Sequence, residues 1–429
     1  MSEKQRFYGW TLVAVLFALD FLNMGFPLYG GNVINTYMLK EIAMSRGTYG
    51  LGFTFINLFI GVPSILVAAC ILKWSIKRAF AMGSAFLLCG ALWMSFVAHK
   101  PWHYLVGFGI INGTGICFGT IVPASTAVTR WFKRYRGRAM AIALSASGFA
   151  GFFIAPLINR VLAANGGNWR QAWQVVGGAA VLSAILATLF VRERPEELGQ
   201  FPDGAADSSS DTQSGAKQGL TTRHPWTPQE AYRTRSFWLM LIGGFGCQFP
   251  FFFFTAHWIL HLRGAGISPA TAAWAMGLFT LGGIGGRAIG GWMMDVLPAR
   301  YAYMIGLCCY LVGSVLAIKV TASTLPVAFA AAILYGAGFG WTFVCANTIT
   351  GHFYGPLAFP KVNGMMLVVT GAVCSPAGVI GGRIFDHFGS YKMAFELNIL
   401  VSVMGILALA FATMPQPLTA GSAAQSGTA

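Results

Sequence analysis

The chain has 429 residues, of which 56% are hydrophobic and only 10% are charged. An ordinary soluble domain carries about 25% charged residues, so this composition excludes a water-soluble fold. The formal net charge is +15, but the Lys and Arg residues lie in short loops between apolar runs and not on one polar surface. We therefore expect a lipid bilayer around the chain, and no nucleic-acid partner.

Twelve apolar stretches are long enough to cross a bilayer, which takes about 20 residues of helix. The first stretch is too long for the apolar core of a signal peptide, so we interpret it as a retained span. The eight cysteines fall inside apolar runs without metal-ligand or redox spacing, and we expect them to be small core residues. The predicted spans are residues 8–31, 49–72, 79–98, 102–126, 138–162, 170–191, 236–258, 270–292, 301–321, 326–349, 362–384 and 393–413.

The spans form two sets of six. Residues 1–191 are predicted to be an N-terminal six-helix bundle and residues 236–413 a C-terminal one. Residues 192–235 are a predicted cytoplasmic linker, too polar to form a core, and residues 414–429 a predicted disordered cytoplasmic tail. If the N-terminus is cytoplasmic, the cytoplasmic loops and tails hold eighteen of the 28 Lys and Arg residues and the outer loops hold nine. The positive-inside rule therefore predicts that both termini are cytoplasmic.

Small residues recur at corresponding places in the two halves. Span five carries glycines around Pro156, and span eleven carries glycines around Pro376. This similarity is typical of two bundles that repeat one fold. Span eight carries Gly282, Gly286 and Gly290 at intervals of four, which predicts a smooth helix face for close packing.

Short motifs in and beside the loops carry a family resemblance. After span eight comes Gly291-Trp-Met-Met-Asp295-Val-Leu-Pro-Ala-Arg300, a glycine, an acid and a base at the spacing of the major facilitator loop motif. The chain resembles the major facilitator superfamily, and within it the monocarboxylate transporters and the oxalate/formate antiporter group. The further motifs that carry this resemblance are Tyr8-Gly9-Trp10, Arg130-Trp131-Phe132 with Arg136-Gly137, Trp226 to Trp238, and Gly381-Gly382 with Asp386 and Gly389.

The resemblance implies the major facilitator fold: an all-α membrane protein with twelve transmembrane helices in two six-helix bundles. We also expect a monomeric transporter without cofactor or metal. An enzyme is not expected, since the sequence has no HExxH or GxSxG motif and no pair of intramembrane aspartates on adjacent helices. The loop motif further implies a cytoplasmic latch, for which the candidates are Asp295, Arg300, Arg130 and Arg136. The first-half copy of the motif, residues 73–78, lacks the usual acid.

Arg287 is the only Lys or Arg in the interior of a predicted span, since the others that fall within the span bounds lie at their ends. A buried cation costs several kcal/mol unless an anion offsets it. The resemblance implies that Arg287 binds the substrate carboxylate, which a guanidinium can hold with two hydrogen bonds. The alternative is an arginine that snorkels to the cytoplasm. The oxalate carrier has a second cation where this chain has Thr370, so a single cation here favours a monocarboxylate.

Asp20 is the first candidate for a proton site. It lies about twelve residues into span one, roughly 18 Å along a helix and near mid-membrane. Desolvation disfavours a charged carboxylate, so such a group can load and release protons near neutral pH; a structural, hydrogen-bonded aspartate is the equal alternative. His257 is a second candidate for proton coupling, although a lone histidine near the interface is usually structural. Candidate cavity-lining, substrate-binding residues are Asn23, Tyr29, Asn112, Trp341 and Asn347.

These observations predict a proton-coupled secondary active transporter of a small organic monocarboxylate, in the cell inner membrane. The expected partners are a small carboxylate anion, protons and lipid. Three alternatives stay open: a carboxylate/carboxylate antiporter of the oxalate–formate type, an exporter of an amphipathic compound, and, in a different class, a membrane sensor that binds without transporting.

Overall fold

The computed structural model describes residues 7–204, 222 and 224–416, and every regular element among them is helical. In the first half, π-helical turns at Gly25–Gly30, Trp93–Val97 and Leu105–Asn112 continue or connect α-helices. The α-helices there are α1 (Gly9–Met24), α2 (Gly31–Glu41), α3 (Arg46–Gly61), α4 (Ser64–Lys73), α5 (Ile76–Leu92), α6 (Pro101–Tyr104), α7 (Gly113–Gly119), α8 (Ile121–Trp131), α9 (Arg136–Ala164) and α10 (Trp169–Phe190).

The second half is built from longer helices. α15 is continuous except at Gly355, where a φ of +66° breaks the helical path; glycine adopts this left-handed conformation without a steric penalty. The helices are α11 (Pro228–Arg233), α12 (Arg235–Gly264), α13 (Pro269–Val296), α14 (Ala299–Ile318), α15 (Leu325–Cys374), α16 (Ala377–Phe388) and α17 (Lys392–Ala410). Two short 3₁₀ turns, Pro195–Leu198 and Pro202–Gly204, precede α11.

Eleven helices in the described part of the chain are long and apolar enough to cross a membrane. They coincide with eleven of the twelve predicted spans. The remaining predicted span, residues 270–292, falls within α13, a 28-residue helix that is less apolar because of its glycines and Arg287. The all-helical membrane fold is therefore confirmed, while twelve crossings and cytoplasmic termini stay predictions.

Prolines shape the path of several spans. Pro27 lies in the π-helical turn between α1 and α2. Proline lacks a backbone N–H and its ring crowds the preceding turn, and a wider π turn lets the helix continue past it. Pro156 lies inside α9 and Pro250 inside α12, where each proline removes one backbone hydrogen bond of its helix.

The described residues belong to two compact units. The first lies within Met1–Gln213, Thr255–Leu281 and Gly378–His387. It therefore takes in parts of α12, α13 and α16 together with the whole first half. The second lies within Ser214–Phe254, Gly282–Ala377 and Phe388–Ala429. A core of the first unit buries large side chains of α1, α5 and α8, including Leu16, Phe80 and Trp131.

The first part of the predicted linker packs on the first unit. The Asp203 carboxylate accepts hydrogen bonds from the backbone N–H groups of Lys133 at 2.9 Å and Arg134 at 2.7 Å. The side-chain oxygen of Gln200 accepts one from the N–H of Tyr8 at 2.9 Å. The chain that follows α10 is thus ordered as far as Gly204. Residues 205–221 and 223 of the predicted linker, and the predicted tail from residue 417 onward, lie outside the described residues.

Candidate substrate and proton sites

Arg287 lies on α13 in the second unit, where α13 meets α15. Gly340 of α15 is so close that a Cβ atom on it would lie 2.9 Å from the backbone nitrogen of Arg287. Gly282, Gly286 and Gly290 likewise face the backbone of α15, at Ile333, Ala337 and Trp341. The predicted close packing of this glycine face is confirmed. Because the backbones of α13 and α15 are in direct contact, the backbone of Arg287 is held at a fixed position relative to α15.

The Arg287 guanidinium lies near aromatic rings. Its central carbon is 6.0 Å from the centroid of the Phe339 ring, at the limit of a cation–π contact. Phe339 in turn stacks on Phe251, with centroids 3.9 Å apart and an angle of 14° between the rings. Arg287 is half-buried, and no described carboxylate lies within ion-pair distance of it. The arrangement can offer guanidinium hydrogen bonds to an anion beside an apolar surface.

Two further predicted substrate residues lie in the same unit. Trp341 is buried and packs on Gly290 and Gly306, which places its indole between α13 and α14. Asn347 uses its amide within the unit, donating to the carbonyl of Phe343 at 2.7 Å and accepting from the amide of Asn363 at 2.9 Å. Trp341 therefore lies against the helix that carries Arg287. Asn347 forms part of a hydrogen-bonded pair, and its role in binding stays a prediction.

Thr370, where the oxalate carrier has its second cation, lies on α15. Its hydroxyl donates to the carbonyl of Met366, one turn earlier, at 2.7 Å, and its methyl group faces Gly244 of α12. The residue is buried and supplies no charge. Arg287 is accordingly the cation of this unit that lies in the interior of a predicted span, away from its ends.

The first unit holds Asp20 and two asparagines. Asp20 is 4% exposed on α1, consistent with the predicted position inside the membrane. Asn23, one turn further, donates to the carbonyl of Gly119 at 2.8 Å, and Asn112 donates to the carbonyl of Gly107 at 2.9 Å. The side-chain oxygens of both asparagines have no hydrogen-bond partner among the described residues. Tyr29 is half-buried in the π-helical turn after α1.

Buried amide oxygens without partners are rare, because each costs about 1–3 kcal/mol in lost solvation. Asn23 and Asn112 are both completely buried and both bond a helix carbonyl through their nitrogen. The free oxygen of each can accept from a water or from a hydroxyl group of a ligand. This is a specific reason to keep both residues as substrate-binding candidates.

His257 lies on α12 inside the first unit and is completely buried. Its Nε2 atom is 2.6 Å from the carbonyl oxygen of Gly378 on α16, and its ring centroid is 6.0 Å from that of Tyr49 on α3. Because a carbonyl oxygen can only accept, Nε2 must carry a proton. The histidine thus joins three helices, and proton coupling by His257 stays a prediction.

The predicted cytoplasmic latch residues have separate partners. Arg130 forms an ion pair with Glu193 at 2.9 Å, within the first unit. Arg300 donates to the Tyr301 hydroxyl at 2.7 Å and to the carbonyl of Ala412 at 3.5 Å, within the second. The side chains of Asp295 and Arg136 lie outside the described part of the chain. A latch formed by these four residues stays a prediction.

Glu193 is a residue that sequence reasoning missed. Besides its ion pair with Arg130, its carboxylate accepts from the N–H of Lys77 at 2.9 Å, in the first turn of α5. The loop of residues 73–78, which lacks an acidic residue in its own sequence, therefore contacts the carboxylate of Glu193. No pattern in the sequence pointed to this contact, since Glu193 lies 116 residues from Lys77 along the chain.

A second missed feature is the contact of the first turns of α3 with α16, from Gly378 in the first turn of α16 to Asp386 in its last. The Asp386 carboxylate accepts from the N–H groups of Arg46 at 3.0 Å and Gly47 at 2.8 Å. Gly50 and Gly378 touch there, and a Cβ atom on Gly378 would lie 2.8 Å from the Gly50 oxygen. This contact, formed by Arg46, Gly47, Gly50, Gly378, Gly382 and Asp386, is called the α3–α16 seam below.

Comparison with known proteins gives the class. The family model described as the Major Facilitator Superfamily matches residues 12–265 and 259–428. Among solved structures, the nucleoside transporter NupG superposes with a TM-score of 0.72 at 12% identity, covering 93% of this chain and 98% of that one. An inward-facing bacterial homolog of the human lysosomal transporter Spinster gives 0.70 at 16% identity, covering 95% and 97%. The chain belongs to the major facilitator superfamily and is a transporter, not an enzyme.

Curated relatives place the chain within that superfamily. Monocarboxylate transporter 13 of Bos taurus is 26% identical over 329 residues, which is 75% of this chain and 70% of the relative. Monocarboxylate transporter 11 of Homo sapiens is 23% identical over 428 residues, 91% of this chain and 80% of the relative. The predicted resemblance to the monocarboxylate transporter group is confirmed.

Proposed function

We propose that this protein is a proton-coupled secondary transporter of a small organic monocarboxylate in the cell inner membrane, working by alternating access. The family and the relatives named monocarboxylate transporters support the substrate class. The observation that carries the proposal is Arg287, a half-buried guanidinium in a predicted span without other charged residues, with no described carboxylate within ion-pair distance. A substrate carboxylate would supply the missing anion.

The surroundings of Arg287 favour a small acid with an apolar part. Phe339 and Phe251 form a stacked aromatic pair next to the guanidinium, which suits a short hydrocarbon chain better than a second charge. Thr370 bonds its own helix and provides no second cation. A dianion such as oxalate would therefore bring one charge more than the described residues neutralise.

Proton coupling follows from the charge balance. A monoanion that enters alone works against a negative-inside potential at about 2.3 kcal/mol per charge per 100 mV. One co-transported proton cancels this cost. Asp20, buried in the first unit, is the carboxylate that we assign to the proton, with His257 as the second candidate.

The antiport alternative uses the same arginine. Exchange of one carboxylate for another leaves the net charge unchanged and needs no protonatable residue. Export of an amphipathic acid would also use Arg287. These alternatives differ from symport in whether transport moves protons, and from a non-transporting sensor in whether labelled substrate crosses the membrane.

A thermal-shift screen of the purified protein against a panel of small carboxylates tests the proposal. A ligand that binds only the folded state stabilises it by RT ln(1 + [L]/Kd), about 2.7 kcal/mol at a hundred times Kd. We expect monocarboxylates to raise the melting temperature more than dicarboxylates or uncharged amides of the same size. The Arg287→Ala variant should lose this shift. Equal shifts for amides, or for the variant, would contradict a carboxylate site at Arg287.

A further inference from the structure

The α3–α16 seam joins distant parts of the sequence through a charged group and a row of glycines. Asp386 lies 340 residues from Arg46 along the chain. Its two oxygens accept from the first two N–H groups of α3, while the Ser45 hydroxyl caps the helix by accepting from the N–H of Thr48 at 3.1 Å. Three of the four N–H groups that a helix leaves unpaired at its start are thus satisfied.

The carboxylate is well placed for attraction to the helix. The N-terminus of α3 carries the positive end of the helix dipole, and hydrogen bonds from an N–H to an ionised oxygen are roughly twice as strong as neutral ones. The Arg46 guanidinium also lies 3.7 Å from the centroid of the Phe385 ring on α16. Both contacts join the first turn of α3 to the last turns of α16.

Glycines let the two helices come this close. Gly378, Gly382 and Asp386 follow one another at intervals of four, so they share one face of α16. On α3, Gly47 and Gly50 face them, and a Cβ atom on Gly382 would lie 2.6 Å from the nitrogen of Gly47. His257 adds a third helix through its bond to Gly378. Side chains larger than hydrogen would hold α3 and α16 apart.

Such a contact can open without a large cost. Asp386 is exposed, so water can replace the two helix N–H groups at its carboxylate when α3 and α16 separate. The glycine surfaces have no interlocked side chains to withdraw. By contrast, contacts of large buried side chains would have to expose much apolar surface on separation. The seam can therefore close and reopen reversibly.

We propose that Asp386 is a positioning residue for transport. Its carboxylate, bound to the start of α3, holds the seam closed, and its release accompanies opening of the substrate pathway on the face of the membrane where the seam lies. The charge distribution predicts that this is the outer face. This inference rests on the proposed function, since alternating access requires one face to close while the other opens. Gly50, Gly378 and Gly382 give the seam the close approach on which the carboxylate contact depends.

Accessibility of a residue beneath the seam tests this proposal without any substrate. Thr54 lies on α3 one turn below Gly50 and is buried. A Thr54→Cys reporter is placed in a variant without the eight native cysteines, reconstituted in lipid nanodiscs, and labelled with a maleimide. We expect slow labelling in this background and at least about fivefold faster labelling when Asp386→Ala is added, since the loss of two charge-assisted hydrogen bonds shifts the equilibrium toward the open seam.

Asp203→Ala is the matched control. The Asp203 carboxylate, in the same unit, also accepts backbone N–H groups, those of Lys133, Arg134 and Tyr135. It lies away from the seam, so Thr54→Cys labelling should not change. If Asp386→Ala does not fold, Asp386→Asn, which keeps one acceptor oxygen and loses the charge, should give a smaller increase. Unchanged labelling in the folded Asp386 variant, or an equal increase in Asp203→Ala, would overturn the proposal. Because no carboxylate is added, failure of the proposed substrate class would leave this result intact.

Discussion

The guanidinium carbon of Arg287 lies 6.0 Å from the centroid of the Phe339 ring, on the helix next to its own. The arginine and the ring are held at this distance by the glycine contact between α13 and α15, where Gly340 meets the backbone of Arg287. An arginine on a rigid helix beside an aromatic ring presents its planar group in a restricted set of orientations. Its geometry, as well as its charge, is thus part of the proposed site.

We predict that Arg287→Lys lowers uptake of the cognate acid by roughly 10- to 100-fold while the protein still reaches the membrane. Lysine keeps the charge but cannot form two parallel hydrogen bonds to a carboxylate, and one charge-assisted bond is worth about 1.5–3 kcal/mol. Uptake of labelled substrate into proteoliposomes measures the effect. The control is Arg160→Lys, an exposed arginine on α9, which should transport normally. Normal transport by Arg287→Lys would favour the snorkelling interpretation.

We predict that Asp20→Asn abolishes accumulation against a gradient and leaves exchange of labelled substrate measurable. The amide mimics the neutral, protonated carboxyl group, so the carrier can cycle with substrate bound but cannot release a proton. The measurement is substrate-driven alkalinisation outside proteoliposomes, compared with counterflow.

The matched control for Asp20 is Glu396→Gln, since Glu396 is an exposed acid on α17 that pairs with Lys392. Alkalinisation should be normal in this variant. Intact alkalinisation in Asp20→Asn would remove Asp20 from the mechanism and leave His257 as the candidate. No alkalinisation by the unchanged protein would point to an anion exchanger.

We predict that Gly286→Ala destabilises the protein by about 1–3 kcal/mol, the usual cost of overpacking. A Cβ atom there would lie 2.7 Å from the Cα atom of Ala337, so α13 and α15 must move apart. The adjacent Gly285 has nothing within 4 Å of such an atom, and Gly285→Ala should leave the melting temperature unchanged or slightly raised. Equal melting temperatures for the two variants would argue against the close contact of α13 and α15.

We predict a pH-dependent contribution to stability from Glu41. Hydrogen bonds from Arg170 and Trp169 lower the pKa of this carboxyl below its usual value. A lowered folded-state pKa means that the stabilisation is present above the unfolded value of about 4.3 and is lost as pH falls through the folded pKa. Glu41→Gln should therefore melt below the unchanged protein at pH 7, and by less at about pH 3.

The effect of Glu41 should be small, under about 1 kcal/mol, because the Glu41 side chain is 50% exposed and its bond to Arg170 is screened by water. The comparison of melting temperatures at the two pH values is the measurement. A difference that is the same at both would show that the Glu41–Arg170 pair does not act through ionisation of Glu41.

Much of the fold follows from the sequence because a bilayer leaves a chain few choices. Backbone groups in hydrocarbon must bond within their own segment, so each apolar run of the required length becomes a helix. Hydropathy alone therefore located eleven spans, and glycines at intervals of four on α13 predicted a contact that depends only on the absence of side chains. Arg287 could be selected in the same way, since one charge in an apolar run is visible without a structure.

Only the tertiary structure decided which polar residues of different helices meet, because the periodicity of one helix carries no information about its neighbours. Glu193 meets Lys77 and Arg130 from the far end of α10, and Asp386 meets Arg46 across 340 residues of sequence. His257 bonds a carbonyl of α16, a contact that its own sequence neighbourhood does not indicate. A membrane-spanning helix is apolar on the faces that contact lipid and also on the faces that contact other helices. Its sequence therefore does not indicate which face packs against which neighbouring helix. Only the packing of the helices brings these distant polar groups together.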